Sequence, residues 1–175
     1  MTRKAPSKTV RSIEAVIDVI GRVASWVTLS IIVLMTCNVI LRYTMNIGAV
    51  WAQEMEWHLL GVLVMFGMSY TLLKDGHVRV DIFYAKFSPR NQRFVNMLTY
   101  LLQTAICIVL IWLSLKYVEQ SYSIGEISSD PGGLPFRWAI KGLLPFGFFL
   151  VLLQSIAALL RICLQEPEES EVGHV

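Results

Sequence analysis

The chain is 175 residues long, with 55% hydrophobic side chains, 16% charged side chains and a formal net charge of +2. So small a positive excess gives no argument for a nucleic-acid binder working by phosphate neutralisation, and an ordinary soluble domain would carry roughly a quarter charged residues. Cys37, Cys107 and Cys163 lie far apart, with no CxxC pair and no even disulfide set, and read as small packing residues.

In chain order, residues 1–9 are polar and expected to be disordered. From Val10 the apolar positions Val10, Ile13, Val16, Ile17 and Ile20 recur at helical spacing, with Arg11, Glu14, Asp18 and Arg22 between them. That pattern predicts an amphipathic helix, either lying on the membrane interface or extending the helix that follows.

Four stretches without Asp, Glu, Lys or Arg come next: Val23–Leu41, Trp57–Leu73, Phe94–Leu115 and Gly142–Leu160. They hold 17 to 22 residues each. An α-helix rising about 1.5 Å per residue needs about that length to cross a hydrocarbon core roughly 30 Å thick. The fold class is an all-α membrane protein with four spans, at about 23–43, 57–73, 94–115 and 138–160. Residues 10–164 form one membrane domain and 165–175 an acidic tail. The first span is too long for a signal's apolar core, and Asn38, Arg42 and Tyr43 follow it instead of a small-residue cleavage site.

An even number of spans puts both termini on one side. With the termini inside, eleven Lys and Arg residues fall on the inner side and four on the outer. The positive-inside rule then assigns both termini and the middle loop to the cytoplasm.

The connections carry the polar chemistry. Span one leads through Arg42, Asn46 and Gly48 to Trp51, Glu54, Glu56 and Trp57, where the tryptophans suit an interfacial belt. Asn38 and Arg42 are four apart and share a helix face. Arg42 is therefore placed to pair with Glu54 or Glu56, to reach another subunit, or to snorkel alone. The segment containing Lys74, Asp75, His77, Arg79 and Asp81 mixes charge with large apolar residues and reads as an inner-surface loop, binding headgroups or a partner. Ser88-Pro89 forms an N-cap and first-turn pair for the third helix. Asp130-Pro131-Gly132-Gly133 is a run of turn residues, and Arg137 opens the fourth helix, where Gly142, Pro145 and Gly147 predict a kink.

Within the spans the polar side chains are hydroxyls and amides, with His58 at one end. Such groups serve as interhelical hydrogen bonders more often than as ligands. Haem ligation would need facing histidines, a thiol oxidase closely spaced cysteines, and a proton-coupled exporter an acid within a helix. No catalytic residue, substrate-binding residue, metal site or cofactor is indicated.

The order Asn38-Val39-Ile40-Leu41-Arg42-Tyr43, Trp51, Glu54, Glu56, Gly67 and Asp75-Gly76-His77-Val78-Arg79-Val80-Asp81 resembles the small membrane subunit of tripartite ATP-independent periplasmic (TRAP) transporters, the DctQ family. The resemblance covers roughly residues 20 to 160. The stretch from Asp130 to Trp138, with Lys141, resembles the branch labelled mannitol/chloroaromatic or 2-oxo acid transporters. The resemblance implies an inner-membrane subunit of a secondary transporter that takes up an organic acid or similar solute. A periplasmic solute-binding protein (DctP-like) would capture the solute, and a large permease subunit (DctM-like) would hold the substrate and ion sites and move them in an elevator-like manner. The small subunit would brace the large one and help receive the binding protein, with membrane lipids around it. The rival readings are a self-contained homo-oligomeric carrier or channel, and a membrane assembly factor without a transport role.

Overall fold

The computed structural model describes residues 8–74, 76 and 87–164. The described chain forms five helices: α1 (Lys8–Met45), α2 (Val50–Leu73), α3 (Pro89–Ser123), α4 (Arg137–Lys141) and α5 (Leu143–Leu164). Counting α4 and α5 as one interrupted span, four segments are long and apolar enough to cross a membrane. The chain is thus a four-span helical membrane protein. The expected loop residues Asp75, His77, Arg79 and Asp81, residues 1–7 and the acidic tail 165–175 lie outside the described residues.

Of the two readings of residues 10–22, the structure has the continuous one. α1 runs unbroken for 38 residues, about 57 Å at 1.5 Å per residue, far beyond what a bilayer core requires. The amphipathic part keeps packing: Val10, Ile17 and Ala24 are buried, and Ile31 and Asn38 continue the stripe half-buried. These positions are seven apart, the spacing of a helix crossing its neighbour at a shallow left-handed angle. Gly21 lies beside this stripe, and any Cβ there would fall inside the Tyr70 side chain of α2.

α3 shows the same seven-residue rule. Its buried residues are Cys107, Ser114 and Ser121, with Tyr100 half-buried one repeat earlier. Ser88 caps its start, accepting from the Asn91 amide at 3.4 Å, and Pro89 fills the first turn as expected. The helix ends past its apolar span in a Schellman turn. Gly125, at φ 59, donates to the Tyr122 carbonyl and Glu126 to that of Ser121.

α5 is the central helix, packed on α1, α2 and α3, whereas α3 rests mainly on α5 and α4. Leu72 of α2, Cys107 of α3 and Val151 of α5 meet in the core, joined by Met68, Tyr100 and Leu152. Between α2 and α5, Phe66 and Phe146 pack edge to face at 5.6 Å. Gly147 lets α5 approach Met65 so closely that an added Cβ would stand 2.8 Å from the Met65 Cβ. The expected irregularity falls at Gly142, a one-residue break between α4 and α5 at which the backbone keeps helical dihedrals and the Gly142 amide still donates to the Trp138 carbonyl at 3.0 Å. Pro145 has no amide for the Lys141 carbonyl four residues earlier, and its ring crowds that carbonyl, so the regular bonding lapses there.

A candidate subunit-contact site at the loop end of the bundle

The α1–α2 turn and the strap formed by residues 124–136 lie at one end of the bundle, called here the loop end. The strap is shaped by its own sequence. Asp130-Pro131-Gly132-Gly133 makes a type II turn, with Pro131 presetting φ, Gly132 at φ 84 and the Gly133 amide donating to the Asp130 carbonyl at 3.0 Å. Ser128 Oγ accepts from the Asp130 amide at 3.2 Å. Asp130 itself is exposed.

This turn is laid over Glu54, in the first turns of α2. Glu54 is 2% exposed, and both its carboxylate oxygens are engaged by the strap and by Arg137 at the start of α4. Oε1 accepts from Ser128 Oγ and from the Arg137 guanidinium at 2.9 Å, and Oε2 accepts from the Leu134 amide at 2.5 Å. Arg137 also donates to Ser128 Oγ at 3.2 Å. Gly133 has to be glycine for the strap to come this close, because a Cβ there would meet Ser128 and stand 2.8 Å from Glu54 Oε2. A carboxylate in such a place is tolerable only when paired and hydrogen-bonded, and Glu54 is both.

A second pair braces the same strap. Lys141 of α4 reaches the Glu126 carboxylate and stands 4.0 Å over the Tyr117 ring. The Lys141 hydrogen bond holds the Glu126 carboxyl below its ordinary value of 4.5. Trp138 packs edge to face on Tyr122 at 5.5 Å. Between strap and α4, Phe136 sits at φ 65, a left-handed conformation that a bulky residue adopts only when its surroundings fix it. The ties from Leu134 and Arg137 to Glu54, one on each side, supply that fixing.

The other sequence candidates separate from this cluster. Arg42 pairs with neither Glu54 nor Glu56, contrary to one expectation: Glu54 faces the strap and Glu56 faces Asn38. Asn38 Nδ2 donates to Glu56 Oε1 at 3.3 Å, joining α1 to α2. Arg42 is exposed and makes no ion pair among the described residues. Trp57 is 63% exposed. His58 Nδ1 donates to the Glu54 carbonyl at 2.5 Å, a local helix contact.

Lys74 is at the opposite end, 2.7 Å from Asp18 of α1. This tie was not anticipated, nor was Arg161 of α5 paired with Glu14 of α1. Arg93 of α3 donates to the Ile162 carbonyl at 2.7 Å, in the last turn of α5, where a cation also suits the helix dipole. Only the mixed charge of residues 10–22 hinted at such ties.

The arrangement therefore offers fixed ends and a greasy middle. Ser69, Thr71, Thr99, Ser114 and Ser155 each close on a carbonyl of their own helix, and no group of three His, Cys, Asp or Glu side chains suited to a metal occurs among the described residues. No curated protein matches the sequence. The family model for the DctQ component of tripartite ATP-independent periplasmic transporters matches residues 31–164, from the middle of α1 to the last residue of α5. The match takes in every tie at the loop end, and the chain belongs to the DctQ family, as a small inner-membrane subunit of a TRAP transporter.

Proposed function

We propose that this subunit braces the large permease subunit and helps dock the periplasmic solute-binding protein during ion-coupled uptake of an organic acid or similar solute. The carrying observation is that the four apolar stretches hold no Asp, Glu, Lys or Arg. An ion path through this chain alone would have to do without the groups such paths use. The described charges lie at the two ends, and several of them tie helices together. A bundle with stapled ends and an apolar shaft suits a stationary support rather than a moving carrier. In this reading the loop end faces the periplasm and both termini face the cytoplasm, in accord with the distribution of Lys and Arg.

The test is reconstitution in liposomes under an imposed ion gradient. Solute should accumulate only when the large subunit, this chain and the binding protein are all present. Accumulation by this chain alone would replace the bracing role with that of a self-contained carrier. Accumulation by the other two proteins at an undiminished rate would leave the chain without a part in transport.

A further inference from the structure

The α1–α2 hairpin has a covered side and an open side. On the covered side Met65 and Phe66 of α2 meet Gly147 and Phe146 of α5, and Val27 and Leu34 of α1 are half-buried. The open side is built from two rows at seven-residue spacing. On α1 the row is Thr28, Met35 and Arg42, all exposed. It continues from Glu14, paired with Arg161 of α5, and Gly21, closed by Tyr70 of α2, so the row is open only beyond Gly21. On α2 the row is Gln53, Leu60 and Gly67, with Gln53 and Leu60 exposed and open space where a Gly67 Cβ would stand. The pairs Asn38–Glu56, Gly21–Tyr70 and Asp18–Lys74 set the antiparallel register, so the rows run side by side along the shaft.

Paired rows of this period form the holes into which a third helix places its side chains. Small and hydroxyl-bearing residues such as Gly67 and Thr28 let backbones come close in a membrane, where apolar transfer gives helices no reason to associate. The free face of α3 is as exposed as Met35 and Leu60, but α3 contains no glycine that would let another backbone come close. Leu101, Ile108 and Leu115, again seven apart, are each more than half exposed, as bulky aliphatics facing acyl chains would be.

Charge then specifies what the third helix brings. At the loop end Arg137 is taken by Glu54, Lys141 by Glu126, and Lys116 lies 4.0 Å over the Trp112 ring of its own helix. Arg42 has neither an ion pair nor a ring contact among the described residues, although it sits one turn beyond Asn38 on the open side. The complement of an uncompensated guanidinium at the membrane boundary is a carboxylate.

We propose that the open side of the α1–α2 hairpin receives a transmembrane helix of the large permease subunit, seated between the two rows and presenting a carboxylate to Arg42, while α3 faces lipid. The inference rests on the bracing role and adds the face that performs it. A photoreactive phenylalanine analogue at Met35 or Leu60, and at Leu101 or Ile108, can be incorporated in the full chain co-expressed with both partner proteins. Adducts with the large subunit are expected from positions 35 and 60 and not from 101 and 108. A large subunit that co-purifies but is captured from α3 alone overturns the face and leaves bracing intact. Failure of any large subunit to co-purify overturns bracing and the face together. Arg42→Glu should lower recovery of the large subunit roughly tenfold, the scale of one interfacial charge contact, with Arg42→Lys retaining most of it. Full recovery with Arg42→Glu would refute the carboxylate and assign Arg42 to lipid phosphate.

Discussion

The two ends of the bundle are tied by different physics. At the loop end one carboxylate, Glu54, is 2% exposed and holds Ser128, Leu134 and Arg137 at once. At the other end the acid is a quarter exposed and its cations more so: Asp18 25%, Arg22 67% and Lys74 52%. A dehydrated hub concentrates its contribution, because removing it leaves several donors stranded. Solvated pairs spread theirs over many weak contacts, each screened by water and salt. The loop end should therefore behave as a unit that is either clasped or lost, and the terminal end as one that loosens by degrees.

The sharpest way to break this comparison is Glu54→Ala. It strands the Arg137 guanidinium, the Leu134 amide and Ser128 beneath the strap. Melting in detergent should fall by roughly 5–10 °C, the largest effect of any single change argued here. Strap residues 124–136 should become readily cleaved by added protease. Glu56→Ala, two residues away, should cost far less, since Glu56 is only half-buried and accepts a single amide bond. Equal losses from the two variants would dissolve the distinction between hub and simple contact.

Next in size are the close approaches that hold the shaft together between the ends. Gly147→Leu must push Met65 aside on α2, and Gly21→Leu must displace Tyr70. Overpacking of this kind costs about 1–3 kcal/mol. Thermal or denaturant melting of the pure subunit measures it. Gly61→Leu, where an added Cβ meets open space, serves as the control and should be near neutral in the isolated chain.

The spans were legible because membrane length and the absence of charge leave few alternatives. The Ser88-Pro89 cap and the turn residues of the strap were legible because local backbone chemistry alone determines them. The packing faces were not. A helix apolar on every side has no hydrophobic periodicity to read, so the seam of α3 is marked only by Cys107, Ser114 and Ser121 recurring at sevens. The partner of Glu54 was equally hidden. Arg42 is twelve residues away and Arg137 is 83, and sequence proximity favoured the wrong arginine. The deciding observation is spatial: the strap returns across the bundle to cover α2, and Gly133 makes room for it. The irregularity at Gly142 was half legible, since Pro145 announces a lost hydrogen bond without saying how far the helix is disturbed.

Titration reaches both ends of the bundle. The Glu126 carboxyl is held low by Lys141, so this pair stabilises the strap above the ordinary glutamate value of 4.5, and the contribution is lost as pH falls through the lowered value. The Lys74 ammonium is held above its ordinary 10.5 by its hydrogen bond to Asp18. That contribution is complete below the ordinary lysine value and disappears as pH rises through the raised one. Asp18 is itself held below its ordinary 3.8 by the Lys74 hydrogen bond, so acid should loosen both ends, and alkali the junction of α1 with α2. Amide exchange, followed separately for residues 124–136 and 14–22, reads the two ends, and Glu126→Gln should reduce the acid-side change in the strap while leaving that of residues 14–22.

The smallest effect belongs to the most exposed pair. Arg22 is 67% exposed and shares Asp18 with Lys74. Arg22→Ala at neutral pH should shift melting by no more than about 2 °C, within the range of surface substitutions. Raising the salt concentration should erase even that, because a solvated pair at this depth lies within reach of counter-ions. The same salt should leave the Glu54→Ala deficit in place, since Glu54 and its donors are closed off by the strap. A salt-sensitive Glu54 deficit would mean that water reaches the hub, and that the two ends differ in the number of their contacts rather than in kind.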